Sequence, residues 1–196
     1  FISDPRELLG LAVETGQGIN KQQLYQSFFT PESLADKMTK LAELQPGMSV
    51  LEPSCGEGAL IQAALQAEPK VTITAYEIQA DLVATAIRAT FPRAFIHQID
   101  FLGVEPSPEF DRVLMNPPFS KGQDMQHVEH AWKFLRPGGC LVAIMSVTWQ
   151  TGTTKIFKMF QKFANGGYVE KIPAGTFSKS GTDVPTVLLK MDKPIK

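Results

Sequence analysis

Short apolar runs alternate with amphipathic stretches along most of this chain of 196 residues. The apolar runs have the length of β-strands, and the stretches between them carry apolar residues at helical spacing. This alternation is typical of an α/β fold in which a mostly parallel sheet has helices on both faces. The predicted strands are 49–52, 71–76, 94–99, 112–115, 140–146, 168–171 and 186–190. The predicted helices are 32–44, 59–67, 80–90, 123–135 and 153–164.

Turn and cap signals refine this pattern. Thr30 is a plausible N-cap for the first helix, with Pro31 at the first helical position. The turn at 137–139, Pro-Gly-Gly, is expected to stop the preceding helix, and the apolar run 141–145 that follows has the character of a central strand buried on both faces. The polar stretch 173–185 looks like a hairpin-type return, so the last strand is predicted to be antiparallel.

Composition suits one globular domain, with 43% hydrophobic and 20% charged residues. We expect residues 1–24 to form an N-terminal helical extension, with a short amphipathic helix near 6–13, and residues 25–196 to form the domain itself. No apolar stretch reaches the ~18 residues that cross a bilayer, and the start of the chain lacks the features of a secretory signal. The expectation is a cytoplasmic protein that does not engage a membrane.

Charge is unevenly distributed although the formal net charge is −1. Residues 1–149 hold 11 basic and 17 acidic side chains, whereas residues 150–196 hold 8 lysines and 3 acids. The lysines at 155, 158 and 162 fit either a solvated helix face or an edge that contacts phosphate.

Cysteine and histidine give no metal pattern. Cys55 and Cys140 belong to no metal-ligand spacing, which favours a reduced intracellular protein. His97, His127 and His130 are too scattered for a metal cluster, and the last two are expected on a helix surface. We therefore predict no metal site.

Residues 116–119, Asn-Pro-Pro-Phe, follow a predicted strand at the edge where an α/β sheet presents its ligands. An exocyclic amine on a nucleobase is a poor nucleophile because its lone pair is delocalised into the ring. The Asn116 side-chain oxygen and the Pro117 carbonyl can each accept one N–H of such an amine, which favours a pyramidal nitrogen. Pro118 further restricts this backbone, and Phe119 offers a flat face for an extruded base. A plain strand-to-loop turn explains the tetrapeptide equally well.

A tight glycine turn follows the first predicted strand. Gly56 and Gly58 allow a nucleotide to approach the backbone closely, and Glu77 can accept hydrogen bonds from both ribose hydroxyls of an adenosine ligand. The two glycines and the acidic residue alone would also fit an NAD site. The third glycine of the dinucleotide fingerprint is Ile61 here, so an adenosine ligand without phosphates is favoured.

Four more residues extend this nucleotide site. Glu52 would repel a pyrophosphate but suits the ammonium group of a methionine moiety. Asp100, which ends the third strand, can accept the adenine amino group. Ile78 and Phe101 can then pack on the two faces of the adenine ring.

These residues resemble a known family, the class I S-adenosylmethionine-dependent methyltransferases, and within it the adenine-N6 DNA type. Residues 28–31, Phe-Phe-Thr-Pro, resemble the family's F-x-T-P segment, 52–58 its glycine loop and 116–119 its catalytic tetrapeptide. The order is similar to the gamma arrangement, and the similarity runs from about residue 25 to 191. The resemblance implies a Rossmann-like seven-stranded sheet, S-adenosylmethionine as cofactor and nucleic acid, with DNA favoured, as partner. The catalytic residues that it implies are Asn116, Pro117, Pro118 and Phe119, and the cofactor-binding residues are Phe29, Thr30, Pro31, Glu52, Ser54, Cys55, Gly56, Gly58, Glu77, Ile78, Asp100, Phe101 and Asn116.

The stretch 173–182 resembles the family's loop between the last two strands, where an aromatic residue often flanks the flipped base. By that resemblance Phe177 is a candidate second stacking wall. A core phenylalanine at the base of a loop is an equally good explanation.

Three alternatives remain open. Similar tetrapeptides occur in enzymes that look like RNA methyltransferases, acting on guanine N2 or adenine N6, or protein glutamine methyltransferases. A non-catalytic cofactor-binding subunit is the alternative from another class. The predicted domain leaves no room for a separate target recognition domain, so either sequence choice is weak, or a partner or a missing segment supplies it.

Overall fold

The computed structural model describes residues 29–177 and 184–195, and these form seven strands and six α-helices. The strands are β1 Ser49–Glu52, β2 Thr72–Glu77, β3 Ala94–Gln98, β4 Phe110–Met115, β5 Leu135–Ser146, β6 Tyr168–Lys171 and β7 Thr186–Asp192. The helices are α1 Glu32–Ala42, α2 Ala59–Ala67, α3 Ala80–Thr90, α4 Gln123–Trp132, α5 Thr148–Thr151 and α6 Lys155–Phe163. Short 3-10 turns occupy Phe101–Gly103 and Ser120–Gly122.

All seven strands belong to one sheet in the order β3-β2-β1-β4-β5-β7-β6. Strands β3, β2, β1, β4 and β5 run parallel to one another, whereas β7 runs antiparallel to both β5 and β6. The predicted α/β class and the antiparallel last strand are therefore confirmed. The strand order reverses between β1 and β4, and in an open α/β sheet the crevice beyond the carboxyl ends at such a point binds ligands.

The core lies on both faces of this sheet, as the inner strand β5 shows. Val142 and Ile144 pack into one hydrophobic cluster, while Leu141, Ala143 and Met145 pack into the other, and all five are fully buried. Successive side chains of a strand point to opposite faces, so a continuous apolar run is what a strand covered on both faces requires. The prediction of a central strand at 141–145 is confirmed.

The end of the fourth predicted helix and the start of the fifth strand differ most from the prediction, and one tertiary contact explains both. The helix predicted for 123–135 ends at Trp132, and Leu135 instead pairs with Phe110 and begins β5. The register shifts between Phe110 and Arg112, which lets β5 continue through the Pro-Gly-Gly stretch. Neighbouring-strand pairing here outweighs the local turn signal.

The start of α1 also differs from the prediction. Pro31 is the N-cap of this helix rather than its first helical residue, and its carbonyl accepts from the Leu34 and Ala35 N–H groups at 2.9 Å each. Thr30 is therefore not the N-cap, and its hydroxyl instead accepts a hydrogen bond from Asn116. The residue expected to begin a helix is thus bonded to the end of β4.

Several expectations lie outside the described residues. These are the N-terminal extension at 1–24 with its helix at 6–13, Phe28 of the F-x-T-P segment, and positions 178–182 of the loop before β7. Within the described ranges, none of the helices combines the length and apolar character needed to span a bilayer.

Candidate active site

A cavity of about 570 Å³ opens at the carboxyl edge of the sheet, beside β1, β2 and β4. Pro31, Gly58, Pro117 and Phe119 adjoin its wall in the chain without lining it. The predicted site residues that line it are Phe29, Thr30, Glu52, Ser54, Cys55, Gly56, Glu77, Ile78, Asp100, Phe101, Asn116 and Pro118. The fold thus brings together residues from five separate sequence segments, as expected for a site at the point where the strand order reverses.

The glycine turn is fixed to the end of β2 by the Glu77 carboxylate. Glu77 Oε2 accepts from the Gly56 N–H at 3.0 Å, and Oε1 accepts from the Gln79 N–H at 2.9 Å. A carboxylate has about four acceptor positions, so two remain for hydroxyl donors in the cavity. Gly56 has a φ of +54°, a left-handed conformation that glycine adopts without the steric cost of a Cβ.

Glu52 is a buried acid at the end of β1. It is 2% exposed, and its Oε1 accepts from the Ser54 N–H at 3.1 Å. Burial raises the pKa of Glu52 well above its usual range; the Ser54 hydrogen bond opposes this rise, and the charge of Glu77 adds to it. A cationic ligand beside this carboxylate would favour its ionised form.

Ser54 and Cys55 complete the wall at the turn. Within the described part of the chain the buried Ser54 hydroxyl has no hydrogen-bond partner, which is a costly arrangement that a polar ligand atom would relieve. Burial raises the pKa of the Cys55 thiol, and the charges of Glu52 and Glu77 raise it further. Cys55 is therefore a neutral, weakly polar part of the wall.

The far end of the cavity lies at the 3-10 turn after β3. Asp100 Oδ1 accepts from the Leu102 N–H at 3.0 Å and so caps this turn. Phe101 is 2% exposed and packs within an aromatic cluster, whereas Ile78 is 61% exposed. The two residues predicted to sandwich an adenine ring therefore differ greatly in accessibility.

His127 lines this same end and was not predicted there. It is buried, contrary to the expectation of a helix-surface residue. Its Nδ1 lies 2.9 Å from the Gln123 carbonyl oxygen, which can only accept, so Nδ1 carries the proton. Burial lowers the pKa of His127, which leaves a neutral ring with Nε2 as an acceptor. Helical spacing gave a sequence signal for this burial, because positions 124, 127, 128 and 131 share one helical face. In the structure all four are buried.

The opposite end of the cavity holds Asn116, which directly follows β4. The Asn116 Nδ2 group donates to Thr30 Oγ1 at 3.1 Å, although the two residues are 86 positions apart. With this nitrogen used as a donor, the side-chain oxygen, which is buried, is the acceptor atom of the amide. Thr30 therefore orients the amide that the sequence analysis singled out.

The two aromatic candidates are placed differently from each other. Phe119 is partly buried and packs against the core between two cavity-lining neighbours, Pro118 and Ser120. Phe177 is 3% exposed, belongs to the core, and lines a separate small cavity of about 90 Å³. The structure does not bring Phe177 to the main cavity, and its packing matches the alternative of a core phenylalanine.

A second anchor lies after the tetrapeptide, at the start of α4. Asp124 is 1% exposed, and its Oδ2 accepts from the Ser146 N–H at 3.0 Å and the Ser146 hydroxyl at 2.8 Å. Burial raises the pKa of Asp124, and its hydrogen bonds with Ser146 and Met125 oppose this rise. The segment from Asn116 to Asp124 is thus tied to the fold at both ends, at Thr30 and at the end of β5.

The model of the methyltransferase small domain family matches residues 32–172, which contain nearly all of this site. The chain belongs to this family. The cavity of the methyltransferase lies at the carboxyl ends of the strands, where an open α/β sheet binds its ligands.

Two curated relatives of the methyltransferase act in different settings. Modification methylase CviBIII of Paramecium bursaria Chlorella virus NC1A is 27% identical over 157 residues, which cover 69% of this chain and 41% of the viral protein. Ribosomal RNA small subunit methyltransferase A of Chlorobium phaeobacteroides strain BS1 is 33% identical over 86 residues, which cover 43% of this chain and 31% of that protein. The methyltransferase thus spans less than half the length of either relative.

Solved structures show the same fold. A subunit from Vibrio vulnificus YJ016, described as a modification subunit of a type I restriction enzyme, aligns with a TM-score of 0.74 at 18% identity over 98% of this chain and 51% of that chain. An RNA methyltransferase from Salinibacter ruber, solved with S-adenosyl-L-homocysteine, aligns with a TM-score of 0.59 at 14% identity over 86% of this chain and 95% of that one.

The cofactor of the methyltransferase is S-adenosylmethionine. The residues present fit this group in three respects. The buried Glu52 carboxylate suits a cation, the Ser54 hydroxyl lacks a partner among the described residues, and nothing lies within 4 Å of the position that a Cβ on Gly56 would occupy.

Proposed function

We propose that this methyltransferase transfers a methyl group to the N6 amine of adenine in DNA. The observation that carries the proposal is the position of Asn116 on the wall of the cavity that also contains Glu52 and Glu77, with its amide nitrogen bonded to Thr30. One cavity therefore offers carboxylates for an adenosine and ammonium ligand together with an oriented amide oxygen for an acceptor amine.

The chain would hold its cofactor along the wall from β1 to the turn after β3. Glu77 accepts from the ribose hydroxyls through the positions left free by Gly56 and Gln79, and Asp100 accepts from the adenine amine. Glu52, Ser54 and the segment at 29–31 surround the methionine end. The bound cofactor supplies an electrophilic methyl group on a sulfonium.

Asn116 and Pro117 would then act on the acceptor. The Asn116 side-chain oxygen and the Pro117 carbonyl oxygen accept the two N–H groups of the amine, which turns its lone pair out of conjugation with the ring. Phe119 stacks on the extruded base, a contact worth about 1–3 kcal/mol. No strong base is required, because the amine loses its proton readily once methylated. Catalysis therefore consists mainly of positioning and electrostatic stabilisation.

The similarity to known relatives supports two candidate acceptors, DNA and RNA. The similarity to a modification methylase, together with the F-x-T-P segment ahead of β1, favours DNA. The similarity to a ribosomal RNA methyltransferase makes RNA the second candidate. Both keep the same chemistry on a planar nitrogen, so only the identity of the methylated nucleoside separates them.

Selection of a target sequence would come from polypeptide outside the described fold. The described turn beside the cavity, Ser120–Gly122, is three residues long, and so short a turn reaches few base edges in a groove. We propose that a further segment or a partner protein supplies this reading.

The test measures methyl transfer and cofactor binding separately. Purified protein is incubated with radiolabelled S-adenosylmethionine and unmethylated DNA, ribosomal RNA or protein, and the products are digested to nucleosides or amino acids. Label in N6-methyl-2′-deoxyadenosine from DNA supports the proposal, while label confined to RNA or protein identifies a different acceptor. Calorimetry that shows cofactor binding without transfer to any acceptor would indicate a non-catalytic subunit.

Substitution of Asn116 tests the proposed role directly. Asn116→Ala should lower kcat by about 10²–10³-fold, the usual effect of removing one stabilising polar group, with cofactor affinity unchanged. Asn165→Ala, in an exposed turn after α6, is the matched control and should retain activity. Full turnover by Asn116→Ala would remove this residue from the mechanism.

A further inference from the structure

Lys121 adopts an unusual backbone conformation two residues after the Asn-Pro-Pro-Phe segment. Its φ and ψ are 52° and 25°, and the next residue, Gly122, has a φ of 76°. Among the non-glycine residues that the structure describes, only Lys121 and Glu43 have positive φ. An L-residue in this region is strained because of its Cβ, and a glycine at position 121 would not be. Strain of this kind concentrates at functional sites.

The surroundings of Lys121 are acidic. Its exposed side chain lines the cavity, and no other Lys or Arg of the described ranges does so. Four acids, Glu52, Glu57, Glu77 and Asp100, line the same cavity. A phosphodiester chain that brought a base to Asn116 would therefore meet carboxylates and a single ammonium group.

The backbone on each side of Lys121 is fixed. Asn116 is bonded to Thr30, and Asp124 holds both the N–H and the hydroxyl of Ser146. The loop therefore presents Lys121 from a rigid support.

We propose that Lys121 binds a phosphate of the DNA strand next to the base held at Asn116, and so positions the target nucleotide. This inference rests on the proposed function. Its ammonium group would neutralise one phosphate at the cavity mouth, and the left-handed turn would keep that group beside the reacting base. The role is one of positioning and affinity, because the Lys121 ammonium group contacts a phosphate and not the reacting atoms.

Steady-state methylation of a DNA duplex at several salt concentrations tests the proposal. Lys121→Gln should raise KM for DNA by about three- to tenfold near 0.1 M salt and leave KM for S-adenosylmethionine unchanged. The slope of log(kcat/KM) against log[salt] should become shallower by about one. Lys121→Arg keeps the charge and should restore most of the affinity and the slope. Lys133→Gln, which removes an exposed charge at the other end of α4, is the matched control and should change neither.

A second pair of variants separates binding from folding. Lys121→Gly relieves the left-handed strain and should melt at or above the temperature of the wild type while binding DNA as weakly as Lys121→Gln. Glu43 has the same φ of 52° as Lys121 but lies 78 positions before it in the chain. Glu43→Gly should relieve the same backbone strain, lose the ion pair to Lys190, and retain full DNA affinity.

The outcomes distinguish this inference from the proposed function. A wild-type protein that methylates DNA, combined with an unchanged salt slope and KM in Lys121→Gln, overturns the inference alone. A wild-type protein that methylates no DNA overturns the proposed function and this inference with it. An equal loss in Lys133→Gln also overturns the inference, because it would reflect overall charge.

Discussion

Alanine substitutions at two glycines in the turn after β1 should differ in their main effect, one weakening cofactor binding and the other mainly lowering stability. Gly56 lines the cavity, and an added Cβ there would meet nothing within 4 Å. Gly58 is buried away from the cavity wall, and an added Cβ would lie 3.4 Å from Ala86 and 3.5 Å from Thr90 of α3. We expect Gly56→Ala to obstruct the cofactor and Gly58→Ala to destabilise the fold.

The backbone angles set the magnitudes. Gly56 has a φ of 54°, within the left-handed well, so Gly56→Ala should cost about 1 kcal/mol of unfolding free energy and lower Tm by roughly 2–4 °C. Gly58 has a φ of 91°, beyond that well, so its alanine variant should cost about 2 kcal/mol and lower Tm by roughly 4–8 °C. The contacts at 3.4–3.5 Å are ordinary, so most of this cost is backbone strain.

Calorimetry with S-adenosyl-L-homocysteine and thermal melting of the free protein measure the two effects. Gly56→Ala should weaken binding at least tenfold, which is about 1.4 kcal/mol, despite its smaller loss of stability. Gly58→Ala should bind with nearly wild-type affinity at a temperature where it remains folded. Wild-type affinity in Gly56→Ala would refute the assignment of the cavity, and a binding loss in Gly58→Ala without a lower Tm would refute the division of roles.

Two further predictions concern buried carboxylates. Glu52→Gln should raise the stability of the free protein at neutral pH and weaken cofactor binding. Burial raises the folded-state pKa of Glu52 above its ordinary value of about 4.5, so wild-type stability falls as pH rises from about 4.5 through that folded pKa, while the glutamine variant has no such loss. The Tm of the variant should therefore increasingly exceed that of the wild type as pH rises across this range. Equal melting at every pH would contradict this. Asp124→Ala should cost about 2–3 kcal/mol and reduce kcat, because it leaves the buried Ser146 N–H and hydroxyl unpaired, whereas Ser146→Ala should cost about 1 kcal/mol in denaturant unfolding. A larger loss of stability in Ser146→Ala than in Asp124→Ala would contradict this explanation.

Elements set by local pattern were predicted well. The alternation of apolar runs and helical stretches located all seven strands, and the glycine turn and the acid that follows it line one wall of the cavity. The Glu52 to Ser54 and Glu77 to Gln79 hydrogen bonds each span two residues, so the chemistry that makes this wall is present in short stretches of sequence.

Features that depend on distant contacts were predicted poorly. Leu135 continues a helical pattern, yet its pairing with Phe110 makes it a strand residue. Phe177 matches a motif position, yet it lies in the core. His127 was predicted on a helix surface, yet the packing of α4 buries it. In each case the sequence around the residue fits both states, and only the neighbouring element decides between them.

The contrast between local and distant contacts also separates the proposed cofactor side of the site from the proposed acceptor side. The acceptor side depends on hydrogen bonds between residues 86 positions apart, Asn116 and Thr30, and 22 positions apart, Asp124 and Ser146. Both bonds fix the nine residues that include the tetrapeptide and Lys121. Loop residues between such anchors can vary within one fold while the turn after β1 is kept, because loops tolerate change that the scaffold does not. Under the proposed function, the segment between Asn116 and Asp124 holds the acceptor, so substitutions should be concentrated there.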